Sequence, residues 1–325
     1  MKHIAISTCV VISACAFPRA LSDTYVPPPL ADYHQHLFSP ALAALMSPPP
    51  PAAPAAPLTA NDLIPLLDAA GIKRAVILST AYIWSQPRRK VANDYEKVKA
   101  DNDWTADQVA LYPNRLVGFC SVNPVREYAL EELARCSKNS HFRGLKLHFG
   151  NSVVDYHNPQ HIEQVRRVFA AANGYRMPIV VHMRATISDK LPYGADEARI
   201  FLNQMLPAAP DVPVQIAHLA GAGGYDDPVV DQALLVFIDA IAKDDRRTKR
   251  LWFDVATVAT SDMTPAQATL IATRIRQVGV GRVLYGTDAA TAGNSPREGW
   301  ANFRKLPLSN AEFRTIANNV PPYMR

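Results

Sequence analysis

The stretch LADYHQHL, residues 30–37, is the first of eight short β-rich runs, and it places Asp32, His34 and His36 at alternate positions. In a β-strand, side chains two positions apart point to the same face, so the two imidazoles share a face with Asp32 behind them. Two adjacent imidazoles suit an apolar core poorly, but they are a good beginning for a metal site. The remaining ligands of such a site must come from elsewhere in the chain.

After Pro29, the β-rich runs alternate with helix-like segments, several of which begin with Thr, Asn or Asp and end at Gly or Asn. Eight strands alternating with helices imply parallel βαβ units and predict a (β/α)8 TIM barrel. An open doubly wound sheet is the alternative, but no glycine-rich phosphate loop follows the first strand. The predicted strands are residues 30–37, 74–81, 116–122, 144–149, 178–183, 214–220, 251–257 and 282–289.

The composition is that of a soluble globular protein with a large core: 325 residues, 48% of them hydrophobic and 19% charged. The formal net charge is +5, and the basic residues are scattered, so no tract indicates nucleic-acid binding. Four cysteines are too few for a thiolate metal protein. Cys120, in a strand, and Cys136, on a helix, are predicted to be buried reduced thiols rather than a disulfide.

Residues 1–22 have the pattern of a secretory signal peptide, with Lys2 before an apolar run and small residues near a cleavage point after Ser22. The run is too short to be a stable membrane span. The alternative is a bacterial lipoprotein signal, because ISAC at residues 12–15 resembles a processing site that leaves a lipidated Cys15. Either pattern predicts export to the periplasm or the medium, with residues 23–325 forming a single domain.

Two loops are unusual in composition. Residues 47–57 (SPPPPAAPAAP) predict an extended loop after strand one, which either covers the catalytic rim of the barrel or is a solvated insertion without a role. Residues 219–228 (LAGAGGYDDP) contain glycines that let the backbone pass close to a ligand or flex as a lid.

Polar side chains stand at the predicted C-terminal ends of several strands. Strand one offers His34 and His36, strands five and six end in His182 and His218, and strand eight ends in Asp288. In a barrel these ends meet at one rim, so we expect the five side chains to converge. An unpaired polar group in an apolar strand is costly, and imidazoles with one carboxylate suit zinc. The pattern therefore predicts a metal site.

The Asp-x-His-x-His motif on strand one, one histidine on each of strands five and six, and aspartate on strand eight resemble the amidohydrolase superfamily. More narrowly, the chain is similar to the amidohydrolase-related branch that includes aminocarboxymuconate semialdehyde decarboxylase. Residues 123–149 are much like the connection between strands three and four of that branch. The resemblance runs from Asp32 to the closing EFRTIANNV, residues 312–320. It is specific to the superfamily and much less specific to one reaction.

The resemblance implies one divalent metal, zinc above all, bound by His34, His36, His182 and Asp288. It makes His218 the acid/base group that orients the activated water. Such a metal lowers the pKa of a bound water from above 15 to about 7. Asp288 then also accepts the proton of the water, and His218 stabilises an oxyanion or protonates the leaving group.

Three further side chains have open assignments. In binuclear members of the superfamily a lysine on strand four is carboxylated and bridges two metals, which would make Lys146 that bridge and His218 a ligand. Because the branch is mostly mononuclear, we expect Lys146 and its neighbour His148 to bind substrate, or Lys146 to pair with Asp288. Arg184 either grips a substrate carboxylate or forms a surface ion pair.

Asp254 on strand seven and Asp32 are predicted to hydrogen-bond the ligands or to pair within the core. The other histidines, His141, His157 and His161, fall in loop or helix segments and are predicted to be solvated.

Three functions remain open. The first is a metal-dependent hydrolase that attacks an amide, lactone or ester of a small molecule. The second is a metal-dependent non-oxidative decarboxylase of an unsaturated or aromatic carboxylic acid. The third is a metal- or ligand-binding barrel without turnover, against which the retained pair His218 and Asp288 argues. Export favours hydrolysis, because the decarboxylases of the branch lack a signal. Barrels of this branch are often dimers, so a homodimer is a further expectation from the resemblance.

Overall fold

The computed structural model describes residues 25–48, 51–184 and 191–324, apart from the side chains of residues 291 and 292. The predicted signal segment, residues 1–22, and the alternative lipidation site at Cys15 lie outside the described residues. Within the described part of the chain, none of the helices combines the length and the apolar character needed to cross a bilayer.

Eight parallel strands form one sheet in sequence order. Backbone hydrogen bonds join the last strand to the first: Tyr33 N donates to Tyr285 O over 2.9 Å. Asp288 N donates to His34 O over 2.8 Å. These contacts close the barrel at a seam, which confirms the predicted (β/α)8 architecture. The strands are β1 (Ala31–Gln35), β2 (Arg74–Leu78), β3 (Leu116–Ser121), β4 (Phe142–His148), β5 (Ile179–His182), β6 (Val214–Ile216), β7 (Leu251–Asp254) and β8 (Val283–Leu284).

Helices connect the strands and cover the outside of the barrel. Four of them begin with a capping box: the cap side chain accepts from the backbone N–H of the third helical residue, whose side chain accepts from the backbone N–H of the cap. The cap residues are Thr59, Thr264, Ser295 and Ser309. The helices are α1 (Pro40–Met46), α2 (Ala60–Ala70), α3 (Asp94–Ala110), α4 (Ala129–Cys136), α5 (Phe149–Ser152), α6 (Pro159–Gly174), α7 (Ala195–Ile200), α8 (Pro228–Ala242), α9 (Pro265–Val278), α10 (Ala289–Ala292), α11 (Pro296–Phe303) and α12 (Asn310–Asn318).

Two apolar layers hold the barrel together. The larger lies between strands and helices and includes Phe201, whose ring packs edge-on against Phe169 and Phe237. The smaller fills the N-terminal half of the barrel interior with side chains such as Val76, Phe119 and Val180. The C-terminal segment, residues 321–324, covers the N-terminal end of the barrel, where Tyr323 and Met324 pack against this layer. Most polar side chains of the interior therefore lie in its C-terminal half.

Several predicted strands are too long, most of all strands six and eight. β6 ends at Ile216, and His218 and Leu219 after it have positive φ angles of 54° and 49°. β8 ends at Leu284, and Asp288 also has a positive φ, 48°. Residues in this left-handed region leave the extended conformation. His218 and Asp288 thus follow their strands instead of ending them.

The structure bears on two smaller predictions. Cys120 and Cys136 are buried and unbridged, as predicted. Among the histidines predicted to be solvated, His157 is half exposed but pairs with Glu197, Nε2 to Oε1 over 2.7 Å. His161 accepts a hydrogen bond from the backbone of Asp155. These two histidines therefore have protein partners as well as solvent.

Candidate metal centre

The five side chains predicted to converge lie together at the C-terminal end of the barrel. Donor atoms of His34, His218 and Asp288 lie within 4.8 Å of one another. His36 Nε2 is 3.7 Å from Asp288 Oδ1. The ring of His182 lies 5.1 Å from that of His218, centroid to centroid. All five are buried, so they meet in a site largely shielded from bulk water.

Hydrogen bonds on the far side of three imidazoles orient their Nε2 atoms. His36 Nδ1 lies 2.6 Å from Leu78 O, and His218 Nδ1 lies 2.8 Å from Ala256 O. A carbonyl only accepts, so each Nδ1 carries the proton. His34 Nδ1 likewise faces the carboxylate of Asp254 over 3.0 Å. Each Nε2 therefore has an unprotonated lone pair, which is the form of histidine that binds metals.

Asp254 organises two of these histidines at once. Its Oδ2 accepts from His34 Nδ1 and from Gln215 Nε2, and its Oδ1 accepts from the backbone N–H of His218 and of Ala256. Burial alone would raise the pKa of Asp254, but the electrostatic attraction and hydrogen bonds of the two histidines, His34 and His218, outweigh it. The pKa of Asp254 is therefore held below its usual range. Sequence reasoning identified Asp254 but missed Gln215, a lone polar residue in an apolar strand.

Asp32 fastens the seam beside the centre. Its Oδ1 accepts from the backbone N–H of His34 and of Thr287, both over 3.1 Å. Its Oδ2 accepts from Thr287 Oγ1 and Gln35 Nε2. Asp32 thus holds the backbone on both sides of the seam, next to His34 and next to Asp288. Burial raises the pKa of Asp32 to about 6 despite these hydrogen bonds.

Gly286 lets the two sides of the seam approach closely. A Cβ at this position would lie 2.8 Å from His34 Cβ, closer than real side chains come. Only glycine leaves this space free, so the residue two positions before Asp288 fixes how near β1 comes to β8.

Burial keeps four imidazoles in and beside the centre neutral. It lowers the pKa of His36 to about 3 and that of His218 to about 4. Burial and the neighbouring positive charges also hold the pKa of His182 and His148 well below the ordinary value. At neutral pH these nitrogens are free to coordinate a metal or to accept a proton.

The backbone of the centre is strained where its functional groups project. His218, Leu219 and Ala220 form three consecutive residues with positive φ, and Thr257 and Asp288 share this conformation. Such geometry costs roughly 1–3 kcal/mol for each residue and persists only where the surroundings impose it. It turns the chain sharply at the ends of β6, β7 and β8.

Lys146 and His148 project from β4 beside the centre. Lys146 is 1% exposed, its Nζ lies 3.4 Å from His34 Nε2, and burial lowers its pKa to about 8. His148 stacks on His182 with ring centroids 3.9 Å apart and lies 5.0 Å from the Tyr82 ring. These rings form an aromatic wall, of which Tyr82 was not predicted.

Arg184 follows β5, and its guanidinium binds the carboxylate of Asp227. Asp227 belongs to the glycine-containing loop and caps α8. The ion pair predicted as one alternative is present, but it is partly buried and not a surface pair. The substrate grip stays a prediction.

The donor set fits a divalent metal. Neutral imidazoles and one carboxylate are the ligands that zinc and similar metals select. The Nδ1 atoms of His34, His36 and His218 are hydrogen-bonded, as the non-coordinating nitrogens of metal-bound histidines usually are. His34, His218 and Asp288 form the compact group, with His36 next to it. The division of these residues into ligands and acid/base groups stays a prediction.

Solved structures of similar fold include hydrolases and decarboxylases. A probable 2-pyrone-4,6-dicarboxylic acid hydrolase from Acinetobacter baumannii, with citric acid bound, is 17% identical; the match covers 88% of this chain and 95% of that one, with a TM-score of 0.57. A 5-carboxyvanillate decarboxylase from Sphingomonas paucimobilis is 14% identical, with 89% and 96% covered and a TM-score of 0.61. A dihydroxybenzoic acid decarboxylase from Polaromonas sp. JS666, with manganese and the inhibitor 2-nitroresorcinol, is 18% identical, with 89% and 94% covered and a TM-score of 0.60.

At these identities the solved structures establish the fold alone. No curated protein matches the chain in sequence. Residues 31–319 match the amidohydrolase family, a span that includes every strand of the barrel and all five residues of the centre. The chain therefore belongs to the amidohydrolase family.

Proposed function

We propose that the protein is an exported, metal-dependent hydrolase that cleaves an amide, lactone or ester bond of a small molecule. The observation that carries the proposal is the compact group of His34, His218 and Asp288, whose two imidazoles present unprotonated Nε2 atoms. In this proposal residues 1–22 are removed and residues 23–325 act as one domain. A single zinc ion is held by His34, His36, His182 and Asp288.

The metal, when bound, supplies Lewis-acid activation of water and of the substrate carbonyl. Asp288 accepts a proton from the attacking water. Its Oδ2 lies 4.0 Å from His218 Nε2, a gap that one water molecule can bridge. In this proposal the proton passes through that water to the imidazole and from there to the leaving group. His218 Nδ1 stays bonded to the carbonyl of Ala256, which keeps Nε2 as the atom that exchanges the proton. Lys146, His148 and Arg184 are proposed to orient the substrate.

Non-oxidative decarboxylation of an unsaturated or aromatic acid is the second candidate. The wall formed by Tyr82, His148 and His182 favours a flat substrate, and two of the similar structures are decarboxylases of aromatic acids. Here the substrate carboxylate would leave as carbon dioxide, and His218 would protonate the carbon atom to which the carboxylate was attached.

Metal analysis by mass spectrometry on the native protein tests the shared basis of both candidates. About one metal ion per chain is expected, lost in His36→Ala but retained in Lys146→Ala. His141→Ala is the matched control, because His141 is exposed and precedes β4 at the opposite end of the barrel. About two ions, one of them lost in Lys146→Ala, would instead show a binuclear site and reassign His218 as a ligand.

A protein that contains no metal and gains no thermal stability from added Zn²⁺ or Mn²⁺ would refute both candidates. The metal-loaded protein then separates the two reactions. Hydrolysis incorporates ¹⁸O from labelled water into the product, whereas decarboxylation releases carbon dioxide and incorporates deuterium from D₂O at carbon.

A further inference from the structure

A chain of hydrogen bonds crosses the barrel interior from its N-terminal face to His34. Tyr323, in the segment that closes this face, donates its hydroxyl hydrogen to Gln215 Oε1 over 2.7 Å. Gln215 Nε2 donates to Asp254 Oδ2, also over 2.7 Å. The same carboxylate oxygen faces His34 Nδ1 at 3.0 Å. Three consecutive hydrogen bonds therefore join the floor of the barrel to the candidate metal centre.

Each bond in this chain has one direction. An amide oxygen only accepts, so the hydroxyl of Tyr323 must donate to Gln215. That contact, together with a bond from Gln215 Nε2 to Tyr33 O over 3.3 Å, turns the amide nitrogen of Gln215 toward Asp254. A carboxylate also only accepts, so the proton between Asp254 and His34 belongs to His34 Nδ1. The lone pair of His34 Nε2 then faces the centre.

Dry surroundings make the orientation of the Gln215 amide important. Gln215 is 1% exposed and Asp254 is fully buried. If the amide were flipped, its oxygen would face the carboxylate, and two acceptors would meet where no water can separate them. Burial raises the pKa of Tyr323 well above its usual value, so its hydroxyl keeps the proton that holds the amide in place.

We propose that Tyr323 and Gln215 are positioning residues for metal binding. Acting through Asp254, they hold His34 in the tautomer and the orientation that a divalent metal requires. The inference rests on the proposed function and extends it to a residue on the opposite face of the barrel. Tyr323 touches neither substrate nor metal in this proposal.

Titration of Co²⁺ into the metal-free, full-length protein tests the proposal. Gln215→Met, which keeps the side-chain length but removes all three side-chain hydrogen bonds of Gln215, should weaken Co²⁺ binding by about 10- to 100-fold. Tyr323→Phe removes one hydroxyl further out, and we expect a loss of about 3- to 10-fold. Both variants should also shift the visible absorption bands of bound Co²⁺.

Tyr33→Phe is the matched control. The Tyr33 hydroxyl donates to Asn319 O, also at the N-terminal end of the barrel. Only the backbone carbonyl of Tyr33 contacts Gln215, and Tyr33→Phe leaves that carbonyl in place. Removal of the Tyr33 hydroxyl costs one hydrogen bond to the C-terminal region, as Tyr323→Phe does. The Co²⁺ affinity and spectrum of Tyr33→Phe should match those of the unaltered protein.

The tautomer of His34 in the metal-free protein gives a second readout. Nitrogen-15 NMR should show a proton on Nδ1 in the unaltered protein and in Tyr33→Phe, and a mixture of tautomers in Tyr323→Phe. Loss of thermal stability with unchanged Co²⁺ affinity and unchanged tautomer would overturn the proposal and leave Tyr323 a purely structural role. If the unaltered protein binds no Co²⁺, the proposed function fails, while the tautomer comparison still tests the hydrogen-bond chain.

Discussion

Asp254 receives four hydrogen bonds on two buried oxygens, and two of them come from His34 and His218. Replacing it by asparagine keeps the size of the side chain but turns one acceptor into an N–H₂ donor. His34 Nδ1 can then accept instead of donate, which moves the imidazole proton to Nε2, where it blocks coordination.

We therefore expect Asp254→Asn to weaken metal binding by about 10- to 100-fold, measured by competition with a chromophoric chelator. Asp239→Asn is the control, because Asp239 pairs with Lys243 on the exposed face of α8. Equal metal affinity in the two variants would show that Asp254 does not prepare the centre.

At the residue level, the sequence indicates functional residues only where the residue type and its position in a strand are unusual. Histidine and aspartate at the ends of apolar strands are conspicuous, so the five converging residues and Asp254 were found. Gln215 and Tyr82 were missed because glutamine and tyrosine are unremarkable in a strand or loop. Their roles depend on contacts with Asp254 and His148, which only the fold brings about.

At the scale of the element, α9 shows how local sequence fixes a helix start. Thr264 accepts from Gln267 N, and the Gln267 side chain returns a bond to Thr264 N. Thr264→Ala removes the first of these bonds and leaves a helix donor without its cap. We expect a loss of about 1 kcal/mol in the free energy of unfolding, measured by urea denaturation.

Thr269→Ala is the matched control within the same helix. Thr269 is exposed, and its hydroxyl bonds Pro265 O one turn earlier. Alanine has the higher helix propensity, so this change should leave stability equal or slightly higher. A loss in Thr269→Ala as large as that in Thr264→Ala would contradict the capping explanation.

α3 is one of several helices that apolar periodicity in the sequence does not indicate. It is the longest of the described helices, yet its buried face includes Asp101, Asn102 and Thr105. Asn102 bonds Glu132 and the backbone of Ser121, so the polar part of this face is satisfied by hydrogen bonds. Its apolar contacts come from Val98, Ala106 and Val109. A search for apolar periodicity readily misses a helix whose inner face mixes polar and apolar residues.

The whole barrel carries a pH dependence that follows from its buried titratable groups. In the metal-free protein four buried imidazoles have a lowered pKa, so below about pH 6.5 the unfolded chain binds protons that the folded chain does not. Their contribution to the free energy of unfolding is present above that pH and is lost as the pH falls. These residues are His36, His148, His182 and His218.

Asp32 and Asp101 act in the opposite direction, because burial raises the pKa of each to about 6. Their stabilising contribution is present below an unfolded pKa of about 4 and is lost as the pH rises through about 6. Four imidazoles outweigh two carboxyl groups. We expect the free energy of unfolding of the metal-free protein to fall from pH 7 to pH 4.5 in urea titrations.

Asp101→Asn supplies the check on this balance. It removes one of the two opposing groups, and Asp101 contacts Ser39 instead of the histidines of the centre. Stability should therefore fall more steeply with acidification in this variant. A metal-free protein whose stability rises toward pH 4.5 would show that the imidazoles are not held neutral.

The overall architecture was predictable because eight alternations of strand and helix admit few arrangements. The lengths of β6 and β8 were not, since the left-handed residues His218 and Asp288 look like strand residues until the tertiary structure imposes their conformation. The hydrogen bonds across the seam also have no local signal in the sequence.

The seam between β8 and β1 bears on how the protein matures in the cell. Asp32 and Thr287, which tie it together, are 255 residues apart, and His34 and Asp288 stand on its two sides. During synthesis β1 leaves the ribosome long before β8 exists, and joining such distant segments carries an entropic cost. A metal bound by residues on both sides of the seam would hold the barrel closed. Metal loading would then be the last step of maturation, governed by the ion supply in the compartment where folding ends.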